Sequence, residues 1–313
     1  MDWATTAFVF PGQGSQQVGM AAAIADQHTA AANVFAEADR ILGMDFTSIM
    51  RNGPSEVLDE TLNTQPALYI AGIAILRALE ARYGDITPIA VAGHSLGEFT
   101  ALTAAGALDF EAGLKLVRER GRLMKEAGEK SPGAMAALLG IELEAARAVC
   151  EQASAQAGKP VVVANDNCPG QIVISGDETA LDLALPLAKE KGAKRAVKLA
   201  VSVAAHSPLM AHSAAAFREV LATTTFAAPR VPIIANLSAA PLRTPDDIRA
   251  ELGAQLTGSV HWTDSIRALR SLGASTFLEL GPKDALTGML KRIDKDAVGM
   301  AVNTPEGIAA LGG

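Results

Sequence analysis

The sequence predicts an α/β protein: a mostly parallel sheet covered by helices, with a small ferredoxin-like (βαββαβ) lobe inserted into it. Three observations predict this. Short apolar runs alternate with helical stretches, and those runs are apolar on both faces, as buried parallel strands are. In the middle of the chain the order changes to two closely spaced strands flanked by helices. Hydrophobic residues make up 49% of the 313 positions but aromatics only 4%. Alanine and small aliphatics must therefore fill the core, which suits close helix-on-sheet packing better than a β-sandwich.

The elements follow in order. "AFVF" (7–10) is a strand that ends in the loop "PGQGSQ". "ITPIAVAG" (86–93) is a second strand, and a helix begins at about Leu96. From Gly133 the chain reads strand "GAMAALLG", helix "ELEAARAVCEQASAQAG", strands "VVVANDN" and "QIVISG", helix "ETALDLALPLAKEKG" and strand "AKRAVKLAV". "VPIIANL" (231–237) and "STFLEL" (275–280) supply two later strands. These spans divide the chain into a large subdomain (1–128 and 201–313) and a small one (129–200), with a cleft between them as the natural ligand site.

Composition excludes several function classes. A net charge of −7 and a pI near 5.3 argue against nucleic acid, whose phosphates need a clustered basic surface. Cys150 and Cys168 have neither metal-ligand spacing nor a disulfide framework, so a reducing compartment is expected. The N-terminus lacks the basic and apolar regions of a signal peptide, and no apolar run reaches the ~18 residues of a membrane span. The protein is read as soluble and cytoplasmic, with no membrane partner.

Gly93-His94-Ser95-Leu96-Gly97 is a G-x-S-x-G pentapeptide at a strand-to-helix junction. Such an elbow forces its serine into a strained backbone, and side chains at the flanking positions would strike the adjacent strand and helix. Ser95 Oγ is thereby lifted clear of the sheet, toward a helix N-terminus that favours a developing anion. The other glycine-rich stretch, "FPGQGSQQVG", has neither G-x-G-x-x-G spacing nor Gly-Lys-Ser/Thr, so it is a weak nucleotide cradle. It can instead place backbone N–H groups opposite the nucleophile.

A serine hydroxyl needs a base, usually histidine. His28 falls in an exposed-looking helix, His94 lies inside the elbow, and His261 precedes Trp262 in a loop. His206 ends an apolar run just before "SPLM", with Ser207 as helix cap and Pro208 at the first helical position. Catalytic side chains commonly occupy such strand-to-helix loops. His212, one turn later among Leu209, Ala215 and Ala216, is expected to pack in the core. No acid stands out as a third member, so a backbone carbonyl serves as well as a carboxylate to orient the base.

In the helix "EAGLKLVRERGRLMKEAG", Arg118 and Arg122 have charged residues three and four places away and are expected on the solvated face. Arg120 has Leu116, Val117, Leu123 and Met124. A guanidinium on a core-facing stripe must be paired, and its planar fork matches a carboxylate. Sequence leaves open whether that carboxylate is internal or belongs to a substrate.

Together these stretches resemble the malonyl-CoA:acyl carrier protein transacylases. "FVFPGQGSQ", "TQPAL", "GHSLGE", "RERGRLM", "GAMAA", "PGQIVISG", "HSPLM" and "LTGMLKR" all occur in that family's order. The resemblance implies a hydrolase-like α/β core with an inserted ferredoxin-like lobe. It implies transfer of a malonyl group from malonyl-CoA to the phosphopantetheine thiol of acyl carrier protein, through a malonyl-serine and without a cofactor. Carried over, it makes Ser95 the nucleophile, His206 the base, and the N–H groups of Gln13 and Leu96 the oxyanion hole. Arg120 grips the malonyl carboxylate and Gln65 lines the pocket. The main-chain carbonyl of Gln255 orients the histidine, and Asn165 lies at the lobe interface near the pocket.

Two departures accompany the resemblance. "SVAAH" precedes the base where bulkier pairs are common, and the small Ala205 leaves a methyl-bearing acyl group unexcluded. "GPKDALTG" alters a loop and not the chemistry. A trans-acting polyketide acyltransferase shares these motifs. A serine esterase or thioesterase shares the elbow but has little use for a buried arginine. The basic segment 189–198 is compatible with either a solvated helix end or a surface meeting an acidic carrier protein.

Overall fold

A computed structural model describes residues 1–201 and 203–312; Ser202, within "SVAAH", and Gly313 lie outside the described residues. The strands are β1 (Thr6–Phe10), β2 (Ala90–Gly93), β3 (Gly133–Leu139), β4 (Val161–Cys168), β5 (Gln171–Asp177), β6 (Arg195–Lys198), β7 (Ile233–Ile234), β8 (Pro241–Leu242), β9 (Val260–His261), β10 (Thr276–Leu280) and β11 (Val298–Val302). They form two sheets, one ordered β11-β10-β1-β2-β7-β8 and the other β6-β3-β5-β4-β9.

The first sheet is parallel from β11 to β7, and only β8 runs antiparallel, against β7. Its centre is covered on both faces. Along β1, Phe8 and Phe10 enter one apolar core while Ala7 and Val9 enter another, which includes Trp262 and Phe277. Alternate residues of a strand point to opposite faces, so a five-residue run buried throughout needs helices on both sides. The helix Thr61–Tyr83, buried through most of its middle, fills one of them.

The second sheet is antiparallel among β3, β4, β5 and β6. The helices Leu143–Ala157 and Glu178–Glu190 pack on it around a core of their own that contains Leu138, Val149, Ile174 and Leu181. Its last strand comes from far along the chain: β9 pairs in parallel with β4, Asn165 opposite Val260. That pairing ties the two sheets together beside the site.

Several elements are shorter than the sequence suggests. Only 90–93 of the 86–93 run is strand, because Pro88 has no N–H to donate and Ile89 donates instead to the Thr6 carbonyl at 2.9 Å. β6 keeps four residues of 193–201, all but one exposed at the sheet edge. No described helix is long and apolar enough to cross a membrane.

Candidate active site

β1 and β2 run side by side and deliver two loops to the same end of the sheet. At the end of β2 the chain turns sharply into the helix Gly97–Ala104. Ser95 sits on that turn with φ of +52°, in the left-handed region that a side chain rarely adopts. The flanking glycines are required by contact distance. A Cβ on Gly93 would lie 1.9 Å from the Gly97 carbonyl carbon, and one on Gly97 would lie 2.0 Å from the Phe10 oxygen. The loop after β1 is held close, since the His94 N–H donates to the same Phe10 oxygen at 2.9 Å.

His206 Nε2 lies 2.8 Å from Ser95 Oγ. Its Nδ1 faces two main-chain carbonyls, Gln255 at 2.9 Å and Gly258 at 3.0 Å. Both are acceptors, so the ring proton belongs on Nδ1, and the Nε2 lone pair is turned to the serine hydroxyl. His206 is also in the left-handed region, with φ of +58°. Its pKa is depressed to about 3, first by burial and then by the Arg120 charge and by His94.

The other histidines do not reach the serine. His94 Nε2 is 2.8 Å from Asn167 Oδ1, and its ring meets Trp262 edge-on at 5.6 Å. His28 is half-buried at the junction of two helices, and His261 stands at the N-terminal boundary of the helix Trp262–Ser271 without a side-chain capping bond. His212 is exposed, contrary to the expected core position. The helix Ala211–Thr223 turns Ser213, Phe217 and Leu221 inward, one turn apart, and residue 212 then points outward. Ser207 and Pro208 do cap and start the short turn that follows His206.

Arg120 is 1% exposed. Its Nη1 donates to Gln65 Oε1 at 2.9 Å, and its Nη2 donates to Gln255 Oε1 at 3.0 Å and Ser95 Oγ at 3.1 Å. Its Nε has no partner, and the guanidinium stacks 5.7 Å from the Phe99 ring. Among the described residues no carboxylate stands within ion-pair distance, so the internal salt bridge left open by sequence is absent. Burial lowers the guanidinium pKa to about 10, which still leaves it charged at neutral pH. Its neighbours differ. Arg122 pairs with Glu119 and Glu126, whereas Arg118 is half-buried over the Phe46 ring instead of lying on the solvated face.

These groups open onto a cavity of about 290 Å³ between the two sheets. Ser95, His206, Arg120, Gln13, Leu96 and Asn165 all line it. Among the described residues neither the Gln13 nor the Leu96 backbone N–H has a hydrogen-bond partner. The Gln13 side chain donates from Nε2 to Thr61 Oγ1 at 3.2 Å, on the same cavity wall. Gln65 is not on the cavity wall: fully buried, it braces Arg120 from behind and donates to Met124 Sδ at 3.0 Å. Gln255 is likewise behind the wall, and its side chain is as engaged as its carbonyl. Ala205 lines the cavity as a small side chain.

Sequence reasoning missed Gly258, the second acceptor for His206, and Asn236, whose Oδ1 takes the Ser95 N–H at 2.6 Å. It also left Glu98 without a part, although that residue closes the quoted "GHSLGE". Both cysteines are buried and free, and burial pushes their thiols up to about 12 for Cys150 and about 11 for Cys168. Neither faces the cavity.

A hydroxyl strained out of a bend, with an imidazole in contact and free N–H groups alongside, belongs to the α/β enzymes that pass acyl groups through a serine. The chain belongs to the acyl transferase domain family, whose model matches residues 7–307. It is 44% identical over 302 residues to the malonyl CoA-acyl carrier protein transacylase of Bacillus subtilis, covering 96% of this chain and 94% of that protein. A solved acyl carrier protein S-malonyltransferase from Vibrio cholerae superposes with a TM-score of 0.94 at 42% identity, covering 98% of this chain and 99% of the other. A malonyl-transacylase solved in complex with a type II polyketide acyl-carrier protein gives a TM-score of 0.94 at 39% identity, covering 97% and 98%.

Proposed function

We propose that the protein transfers a malonyl group from malonyl-CoA to the phosphopantetheine thiol of an acyl carrier protein, by way of an ester on Ser95, and so supplies fatty acid synthesis. The observation that carries this reading is a buried guanidinium 3.1 Å from the nucleophile, held only by neutral groups. Leaving a buried cation without a counter-ion in direct contact costs several kcal/mol. An acyl group ending in a carboxylate supplies that counter-ion, and an uncharged one does not.

Malonyl-CoA binds with its free carboxylate on Arg120, whose Nη2 turns from Ser95 Oγ to the substrate. Ser95 Oγ attacks the thioester carbon while its proton passes to His206 Nε2. The N–H groups of Gln13 and Leu96 hold the oxyanion, and one such donor is worth roughly 10²–10³ in rate. Collapse breaks the C–S bond, and the CoA thiolate leaves with the proton from His206. The carrier thiol then gives its proton to Nε2 and attacks the ester carbon; collapse breaks the C–O bond, and His206 passes that proton to the departing Ser95 Oγ. Nucleophile, base and oxyanion donors all come from the chain, so these steps call for no cofactor beyond the substrates.

Two main-chain carbonyls, in place of a carboxylate, orient His206, which leaves it a weak base. A thioester suits such a base: a thiol has a pKa of about 8.5, so its thiolate leaves with little help. The substrate carboxylate on Arg120 offsets the charge that depresses the imidazole. The base therefore strengthens when the matching acyl group is bound. A reducing, cytoplasmic setting belongs to this reading and accords with two buried, unpaired cysteines.

The test is to incubate the protein with malonyl-CoA and a phosphopantetheinylated carrier protein, following both acylated species by intact mass. Malonyl-enzyme followed by malonyl-carrier is expected. Free malonate as the main product would identify a thioesterase instead.

A further inference from the structure

Glu98 is fully buried behind the nucleophile and takes no part in the steps above. Among the described residues every hydrogen-bond partner of its two oxygens is an N–H donor. The Asn236 backbone N–H and Nδ2 reach Oε1 at 3.0 and 3.3 Å, and Gln255 Nε2 reaches Oε2 at 2.5 Å. Donors on both sides are what an ionised carboxylate requires, since a carboxyl O–H would need an acceptor. Burial, and then the nearby Glu251, hold its pKa well above the usual carboxylate value against the opposing pull of Asn236, Gln255 and Arg120, so it is the all-donor geometry that marks the charged form.

Each amide that Glu98 engages makes a second contact at the site. Asn236 Oδ1 accepts the Ser95 N–H at 2.6 Å, and its Nδ2 donates to the Gly93 carbonyl at 2.6 Å, so both sides of the strained turn are pinned. Gln255 Nε2 also donates to the Ser95 carbonyl at 3.0 Å, leaving Oε1 to accept from Arg120 at 3.0 Å. A side-chain amide has two orientations related by a half-turn. Reversed, Gln255 would present N–H groups to a guanidinium and an oxygen to the Ser95 oxygen. An acceptor at residue 98 forbids that reversal.

We propose that Glu98 is a positioning residue for carboxylate-bearing acyl groups: by accepting from Gln255 and Asn236 it fixes the direction of both amides, and through Gln255 it aims Arg120 beside Ser95 without pairing with the guanidinium directly. A carboxylate in direct contact would compete with the substrate's own. One amide removed, it orients the cation and leaves it open. The proposal rests on Arg120 as the acyl anchor.

The experiment measures kcat/KM for acyl-enzyme formation from malonyl-CoA and from acetyl-CoA in Glu98→Gln, Arg120→Ala and the double variant. The new amide in Glu98→Gln turns an N–H toward Gln255 or Asn236 and forces one of them to reverse. The malonyl-to-acetyl ratio is expected to fall by about tenfold, the scale of one hydrogen bond to a charged group. In the Arg120→Ala background the same change should move the ratio by less than about twofold, as coupled residues do. Equal losses for both substrates in Glu98→Gln, with the ratio still dependent on Arg120, would make Glu98 structural and overturn the proposal alone. A ratio indifferent to Arg120→Ala would overturn the anchor and the proposal together. Should Glu98→Gln not fold, the exchange variant Glu98→Gln/Gln255→Glu keeps one acid and one amide across the same contact but puts the acid directly on Arg120. It is expected to fold with a depressed ratio, and a wild-type ratio in the folded exchange variant would overturn the idea.

Discussion

Arg120 Nη2 donates to Ser95 Oγ at 3.1 Å on one side and to Gln255 Oε1 at 3.0 Å on the other. The Ser95 hydroxyl thus touches the cation directly, and on the proposed mechanism a carboxylate bound to Arg120 is held beside the reacting oxygen. Arg120→Ala should therefore reduce acyl-enzyme formation from malonyl-CoA by 10²-fold or more, on the scale of a lost charge-assisted contact pair. Acetyl-CoA, which has no carboxylate to lose, should change by much less. Stopped acylation assays with both thioesters read the difference, and parallel losses would show the arginine to be structural.

The pH dependence follows from the environment of His206. Its pKa is lowered from 6.5 to about 3, mainly by burial, so the free enzyme keeps the imidazole neutral well below pH 6.5. The acid limb of kcat/KM for acylation should lie far below that value. A limb near 6.5 would contradict the burial and charge argument. The same shift bears on stability. Between pH 6.5 and about 3 the unfolded chain binds a proton at this residue that the folded chain refuses, so this group lowers stability as pH falls through that window. Thermal melts should show wild type losing stability relative to His206→Gln as pH is lowered through that window.

Gly93→Ala should prevent the elbow from closing. The added carbon would sit 1.9 Å from main-chain atoms of Gly97, where no flexible side chain can yield. Overpacking against backbone costs about 1–3 kcal/mol and sometimes more. A large drop in melting temperature or soluble yield is expected, and a variant as stable as wild type would mean that the turn is not held as described.

The elbow could be read in the sequence because its determinants are contiguous: two glycines, one serine and a change from strand to helix within five residues. Arg120 could be read from its apolar neighbours, and His206 from the loop in which it ends an apolar run. Asn236 and Glu98 could not, since the former meets Ser95 across 141 positions and Glu98 across 138. β7 is the two-residue part of the expected 231–237 strand that finds a partner, whereas β8 and β9, also two residues each, are created by their pairing partners rather than by any local pattern. His212 was misread because the "SPLM" turn sets the phase of the following helix, which apolar neighbours alone do not reveal. In the basic segment, Lys198 pairs with Asp182 at 2.7 Å and Glu178 at 3.2 Å, while Lys191, Lys194 and Arg195 stay exposed.

The central claim is that Ser95 carries the acyl group between two thiols. Intact mass spectrometry of wild type and Ser95→Ala after brief exposure to malonyl-CoA tests it most directly. One malonyl adduct on the wild type, discharged on adding carrier protein, and none on the variant is the predicted result. An adduct of equal occupancy on Ser95→Ala would contradict it.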